Sequence, residues 1–326
     1  MSEALVKQLE RVRAAGARQD ETLNPFWRDQ LGLYGYAELL ASGKELDPQE
    51  VASSLGVGYS AERLPAGVRN KETPEFLRWP AIADPPETMD PESRKEIAAT
   101  TFLARRGLLD AHLSEMDDLG IVSRSWIKRQ WLCARRLKAL LEGPSDFLEI
   151  GPGGGQIGLM LAAAGLVRSY VFVDLPDMLL ATIRTITSHL PDAQVSVGEI
   201  CDGFSFLGPD EIGLVADASI GVALNFNSFS EMDGQVRDNY IAEVYRTAAP
   251  NALFYNVNRR HIRMTGRDGK PFENHPLLYP YRPDDQVIEW EPDEFQQASR
   301  SGLFSTSQSS FCISRIARIN PSPSKA

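Results

Sequence analysis

An α/β fold built on a mostly parallel, doubly wound sheet is predicted over residues 143–318 by three features of the chain. Short apolar runs alternate with helical segments, a glycine-rich loop follows the first run, and the second run ends in an acid. The centre of the pattern is Phe147-Leu148-Glu149-Ile150-Gly151-Pro152-Gly153-Gly154-Gly155, with Val171-Phe172-Val173-Asp174 beyond it. The amphipathic segment from Gln156 to Gly165 lies between these runs and completes the pattern of a βαβ unit. A loop so rich in glycine brings backbone N–H groups close to a ligand, so the ligand expected here is a nucleotide or nucleoside.

Taken in chain order, residues 1–142 read as a helical front piece. Val6, Leu9 and Val12 keep helical spacing, and Asp47-Pro48 reads as an N-cap followed by proline at the first helical position. The connector Trp79-Pro80-Ala81-Ile82-Ala83-Asp84-Pro85-Pro86 excludes regular helix. Helical patterns resume over Thr101 to Leu113 and over Ser123 to Leu141. The second of these carries Arg124, Lys128, Arg129, Arg135, Arg136 and Lys138 as a solvated basic face over an apolar stripe.

Within residues 143–318, a helix is expected from Pro176 to Leu190 and a third strand from Gln194 to Val197. A fourth strand follows from Ile220 to Phe226, then a helix from Gly234 to Ala248 and a fifth strand from Leu253 to Val257. Two late strands, Gln286 to Trp290 and Ser310 to Ile316, with a helix around Pro292 to Ser299 between them, form an antiparallel hairpin at the sheet edge. Residues 319–326, rich in proline and serine, read as a disordered tail.

With 326 residues the chain is long enough for one large domain and a smaller one. A net charge of −10 is ill suited to tracking phosphate backbones, which argues against DNA or RNA as the main partner. Three widely spaced cysteines suggest neither a disulfide framework nor a zinc site, and no cluster has metal-ligand spacing. No segment has the length of a membrane span, so the expectation is a soluble cytoplasmic protein.

The glycine loop admits two readings. Gly153, Gly155 and Gly158 satisfy G-x-G-x-x-G, which would make the chain an NAD-dependent oxidoreductase. In dinucleotide folds, however, the first glycine follows the strand directly. That glycine is Gly151 here, and the third then falls at Gln156. The alternative, Glu149-x-Gly151-x-Gly153-x-Gly155, suits a cationic single nucleoside, S-adenosylmethionine. Glu149 would face its ammonium, loop N–H groups its carboxylate, and Asp174 the two ribose hydroxyls. Gln156, Leu175, Met178 and Asn225 complete the expected donor-binding set. Glu199 or Asp202, after the third strand, would accept from the adenine amine.

These residues resemble the first two motifs of the class I S-adenosylmethionine-dependent methyltransferases. Asn227-Ser228-Phe229-Ser230-Glu231-Met232, with Phe-Leu-Glu-Ile-Gly-Pro-Gly-Gly-Gly and Val-Asp-Leu-Pro upstream, is similar to the sugar O-methyltransferase family over roughly Ser145 to Arg260. The resemblance implies a Rossmann-like, seven-stranded sheet with an antiparallel C-terminal edge strand. It also implies S-adenosylmethionine as donor, leaving S-adenosylhomocysteine, and O-methylation of a sugar or sugar-containing natural product. N-methylation of an amino sugar stays open, as does a degenerate fold kept as a partner-binding module.

Ligands of open α/β sheets sit beyond the carboxyl ends of the strands, where Asn227, Ser228, Glu231, Asn258, Arg259 and His275 are expected to meet the acceptor. A hydroxyl acceptor needs a base, and because imidazole is the side chain suited to proton transfer near neutral pH, His261 is the first candidate, with Glu231 and Asn227 beside it. The helical front piece would cap the acceptor and could form a homodimer contact.

Overall fold

The computed structural model describes residues 125–266, 269–293 and 312–321. The chain enters through α1 (Ser125–Leu140) and continues as β1 (Ser145–Ile150), α2 (Gln156–Ala163), β2 (Val167–Val173), α3 (Pro176–His189), β3 (Val195–Val197) and β4 (Phe204–Leu207). It returns through β5 (Ile220–Phe226), α4 (Gly234–Thr247) and β6 (Ala248–Arg259), then a small hairpin of β7 (Ile262–Thr265) and β8 (Pro271–Asn274), and finally β9 (Gln286–Pro292) and β10 (Cys312–Ile319). Short 3-10 segments cover Pro209–Leu214, Ser228–Glu231 and Pro276–Leu278.

The main sheet has eight strands in the order β3-β4-β2-β1-β5-β6-β10-β9. Pairs from β3 through β6 are parallel, and β10 is antiparallel to both β6 and β9. After β1 the chain winds outward on one side and then comes back to place β5 on the other. The strand order therefore reverses between β1 and β5. A crevice opens at such a reversal because the two following loops diverge, and here those loops are Gly151 to Gly155 and Asn227 to Met232.

Each face of the sheet carries its own apolar layer. Phe147, Tyr170 and Phe172 face α1, α2 and α3, meeting Leu137, Ile157, Leu179 and Ile183. Leu148, Ile150 and Val173 face the other way and meet Ile241, Val244 and Tyr245 of α4. Strand alternation thus buries both faces, as a parallel sheet requires, and removal of this apolar area from water drives the packing at about 25 cal/mol per Å².

The structure corrects the sequence reading at several elements. The sheet has eight strands rather than seven, because β4 lies beside β3 as a second parallel strand. Phe204 to Leu207 is entirely buried. Gly198, at φ +74°, turns the chain, the Ser196 hydroxyl donates to the Glu199 carbonyl at 2.7 Å, and Gly203 passes where any Cβ would strike the Gln194 carbonyl. The fifth strand begins at Ala248 rather than Leu253, with a register shift against β5. Residues 262–274, given no element in the sequence reading, fold as the β7–β8 hairpin. Ile319, expected to open the tail, is buried in β10 opposite Ala252. Helix α1, expected in the front piece, packs Cys133, Ala134 and Leu137 into the core of the sheet domain. The helix expected around Pro292 to Ser299 and the front piece before Ser125 lie outside the described residues. No described helix is long and apolar enough to cross a membrane.

Candidate functional site

Three glycines of the loop after β1 have left-handed backbones, at φ +69° for Gly151, +59° for Gly153 and +71° for Gly155, a region costly for other residues. Two of them are also spatially locked. A Cβ on Gly151 would collide with the Ser228 hydroxyl, and one on Gly155 would lie 2.6 Å from the Thr182 methyl. Gly153 differs, since a Cβ there would meet nothing within 4 Å, so the loop presents its backbone to open space at that point. The Gly151 N–H donates to the Val173 carbonyl at 2.8 Å, and the Thr182 hydroxyl donates to the Gly153 carbonyl at 2.7 Å.

Asp174, at the end of β2, faces the same point. Its carboxylate accepts from the Gly153 N–H at 3.2 Å and from the Leu175 N–H at 2.8 Å. Burial nevertheless pushes its pKa up to about 7, with the Glu231 charge adding to the rise. Glu149 lies beneath the loop, 2% exposed, and accepts from the Tyr170 hydroxyl at 2.7 Å. Burial raises it to about 7, against the lowering effect of the tyrosine and with a smaller raising contribution from Asp174. Glu231 is raised to about 7 by burial despite Arg259, whose guanidinium is 3.5 Å away. The three carboxyl groups thus cluster at the carboxyl edge of the sheet, Asp174 acting on Glu149 and Glu231 on Asp174, and a bound cation would favour their charged forms.

Gln156 opens α2 and is 1% exposed. Both polar atoms of its side chain are buried without a hydrogen-bond partner, and its amide occupies the space beside Gly154 that a Cβ would need. A buried amide without partners costs of order 1–3 kcal/mol, so its retention at the loop fits a ligand that satisfies it. Leu175 precedes α3 as its half-buried N-cap, and Met178 is buried in the first turn.

Across the crevice, Asn227 takes a left-handed backbone at φ +70°, and its N–H donates to the Val257 carbonyl at 2.7 Å. Its side-chain oxygen accepts from the Cys312 thiol at 3.2 Å. Behind it the polar side chains hold one another. Asn225 donates to the Ile150 carbonyl at 2.8 Å and accepts from the Asn258 amide at 2.9 Å, while Asn258 accepts from the Ser230 N–H at 2.9 Å. Ser228 donates to the Ile150 carbonyl at 3.0 Å. Asn225, Ser228 and Asn258 are buried, and this network ties the loop after β5 to the end of β1.

His261 lies at the base of the β7–β8 hairpin, half-exposed, with Nε2 3.3 Å from a Glu273 oxygen. His275 Nδ1 accepts from the Leu277 N–H at 3.1 Å. Burial, then Arg260 and His261, lower its pKa. Glu199 and Asp202 are both exposed, but Glu199 follows the carboxyl end of β3 whereas Asp202 precedes the start of β4 at the opposite end of the sheet. Only Glu199 shares the ligand edge. Among the described residues no group of three or more His, Cys, Asp or Glu is placed to hold a metal.

Sequence reasoning missed four supporting residues. Tyr170 meets Glu149, and Thr182 holds Gly153. Asn274 donates to the Phe229 and Met232 carbonyls at 2.8 and 3.1 Å and accepts from Arg237 at 2.6 Å. No local signal marks these residues, because their partners come from other elements. The nearest available signal was a tyrosine and a threonine at otherwise apolar positions of β2 and α3.

No family model matches the chain, and neither does any curated protein. Solved structures similar to it include the [4+2]-cyclase SpnF, at 13% identity and TM-score 0.43, covering 59% of this chain and 81% of that one. The 1,6-didemethyltoxoflavin-N1-methyltransferase of Burkholderia thailandensis, bound to 1,6-didemethyltoxoflavin and S-adenosylhomocysteine, is similar at 13% identity and TM-score 0.40, covering 73% of this chain and 93% of that one. A Methanosarcina mazei SAM-dependent methyltransferase is similar at 17% identity and TM-score 0.41, covering 57% and 98%. At such values these likenesses add nothing to what the sheet order shows directly. That order, with antiparallel β10 beside the C-terminal edge strand β9, is the Rossmann-like class I arrangement.

Proposed function

We propose that the chain is an S-adenosylmethionine-dependent methyltransferase that O-methylates a small molecule, a sugar or sugar-containing natural product. One observation carries the reading. The loop tip at Gly153 is open, the Asp174 carboxylate stands against it, and a buried amide without partners, Gln156, sits alongside. The residues present suit the donor. Asp174 would hold the ribose hydroxyls, the Gly153 and Gln156 groups the amino-acid end, Glu149 the ammonium side from beneath, and Glu199 the adenine amine. Leu175 and Met178 would supply apolar contact.

When bound, the sulfonium supplies an electrophilic methyl group and leaves as a neutral thioether. Displacement is in line, so the chain's task is to align the acceptor, exclude water and take a proton. Asn227 and Glu231, on the opposite wall, are the residues we assign to the acceptor. Glu231 is the proton acceptor in preference to His261, because its pKa of about 7 matches the task and it lies inside the crevice. Arg259, 3.5 Å away, would steady the carboxylate. Asn225, Ser228 and Asn258 act as positioning residues, since their polar atoms already hold the loop.

The front piece fits the role of acceptor cap. Helix α1 ends at Leu140, just before β1 starts at Ser145, and the Tyr255 hydroxyl of β6, a residue level with Glu149, donates to the Cys133 thiol at 3.1 Å.

Thermal melting with S-adenosylhomocysteine or NAD tests the donor. Stabilisation by S-adenosylhomocysteine, lost in Asp174→Ala, is expected. Stabilisation by NAD alone would restore the oxidoreductase reading, and methyl transfer to neutral and amino sugars would separate oxygen from nitrogen as the methylated atom.

A further inference from the structure

We infer that the base of the β7–β8 hairpin is an oxyanion site that takes the phosphate or carboxylate of an acidic acceptor, in the class of sugar phosphates and uronic acids. The inference rests on the methyltransferase reading above and deepens it.

Strand β6 leaves the main sheet at Arg259, and the next two residues, Arg260 and His261, lead into β7. Because Ile262 pairs with Asn274 in antiparallel register, the following step toward the base sets His261 opposite His275. Four basic residues therefore converge where the hairpin meets the carboxyl edge of the sheet. This happens in a chain whose net charge is −10, so the cluster runs against the molecule's own balance. The neighbours feel one another, since Arg260 and His261 both act on His275 in the direction that disfavours its charge. Crowded like charges are costly in isolation and become favourable around an anion.

The described acids nearby engage two of the four, Arg259 and His261, and leave Arg260 without one. Glu231 reaches Arg259 at 3.5 Å, beyond the length of a close charge-assisted bond, and the Glu273 that meets His261 is 64% exposed. Among the described residues Arg260 makes no ion pair, and it is exposed. The histidine is set as a donor. With His275 Nδ1 accepting from Leu277 N–H, the neutral ring carries its proton on Nε2. The Arg260 guanidinium and the His275 N–H, which lie near one another, offer donors that suit a three-oxygen or two-oxygen anion. Arg259 adjoins Arg260 in the chain and pairs with Glu231 at 3.5 Å, so an anion held here would bring a neighbouring hydroxyl of the same molecule toward the methyl-transfer point.

The test uses the full chain saturated with S-adenosylhomocysteine and titrated calorimetrically with glucose 1-phosphate, glucuronate and glucose. At least one acidic sugar is expected to bind about ten-fold or more tightly than glucose. Arg260→Ala should remove most of that preference, Arg260→Lys should keep part of it, and S-adenosylhomocysteine affinity should stay unchanged in both. A stronger response to the phosphate or to the carboxylate identifies the group. Equal binding of glucose, no binding of either acid, or a preference unaltered in Arg260→Ala would overturn the site. Failure of S-adenosylhomocysteine itself to bind would instead strike the donor reading. Because Arg260 is exposed, an unchanged melting temperature in the variants confirms that they are folded.

Discussion

The three loop glycines share a backbone conformation but differ in what surrounds them, and the difference predicts distinct phenotypes. Gly153→Ala should cost about 1–2 kcal/mol, from its left-handed backbone alone. Gly151→Ala and Gly155→Ala add a collision with Ser228 or Thr182, worth roughly a further 1–3 kcal/mol. Urea denaturation checks the ranking, and equal losses at all three positions would contradict it. Ligand binding should reverse the order of interest. Gly153→Ala, the mildest for stability, places a methyl in the open space assigned to the donor and should weaken S-adenosylhomocysteine by about ten-fold or more.

The buried carboxyl groups predict a pH dependence at the same scale. Glu149 moves from an ordinary 4.5 to about 7, and Asp174 from 3.8 to about 7, both chiefly through burial. Between those limits the native state binds more protons than the unfolded chain, so these groups make stability fall as pH rises from their ordinary values to about 7, and the fall levels off beyond it. Glu149→Gln should flatten that fall when urea midpoints are compared from pH 5 to pH 8. Binding of a cationic donor favours the ionised carboxylates and should release protons near neutrality. Calorimetry in buffers of different ionisation enthalpy reads that release directly.

Among the elements, the turn Ser228–Glu231 depends least on itself. It is one 3-10 turn following a left-handed Asn227, held by Asn225 and Asn258 from the strands and by Asn274 from the hairpin. Asn274→Ala would leave the Phe229 and Met232 carbonyls and the Arg237 guanidinium short of a buried partner, at a cost of about 1–3 kcal/mol per group. The expected outcome is a destabilised protein with much reduced methyl transfer and little change in S-adenosylhomocysteine binding, since the donor side of the crevice rests on α2 and α3. A variant that transfers methyl groups at the wild-type rate would show that the turn is not held this way.

At the scale of the whole molecule, a buried charge joins strand β10 to the segment that precedes β9. Arg315 of β10 is 1% exposed, is 2.6 Å from an Asp285 oxygen, and stacks 3.9 Å over the Tyr281 ring. Its Nε and Nη1 have no hydrogen-bond partner, so the tyrosine face and the carboxylate together compensate the guanidinium. Asp285→Ala would leave the cation buried and should cost about 3–5 kcal/mol, whereas Arg315→Met removes the charge and keeps the volume, so it should cost less. Chemical denaturation of the two variants decides the order. On the other side of the sheet edge, Arg136 of α1 bonds Glu289 of β9 at 2.9 Å, tying the entering helix to the outermost strand.

Legibility in the sequence followed the range of the interaction. The strand, glycine loop and following helix at residues 147–163 are local, encoded by alternation of apolar residues and by glycines whose backbones only glycine adopts cheaply, so they could be read directly. Strand β4 could not, because Phe204 to Leu207 is too short to show a period and owes its strand form to pairing with β2 and β3. The hairpin was hidden for the same reason, its two strands being four residues each with Pro271 at the start of the second.

By itself, then, the chain's order of residues determined a doubly wound sheet and a glycine loop with acids at 149 and 174, all matters of local backbone preference and side-chain period. Only the tertiary structure decided that Glu149 lies sealed beneath the loop against Tyr170. It likewise revealed that Asn225 and Asn258 brace the crevice and that Arg259, Arg260, His261 and His275 gather at one corner. Those outcomes depend on which distant segments pack together, and burial, not residue type, sets what each polar group is free to do.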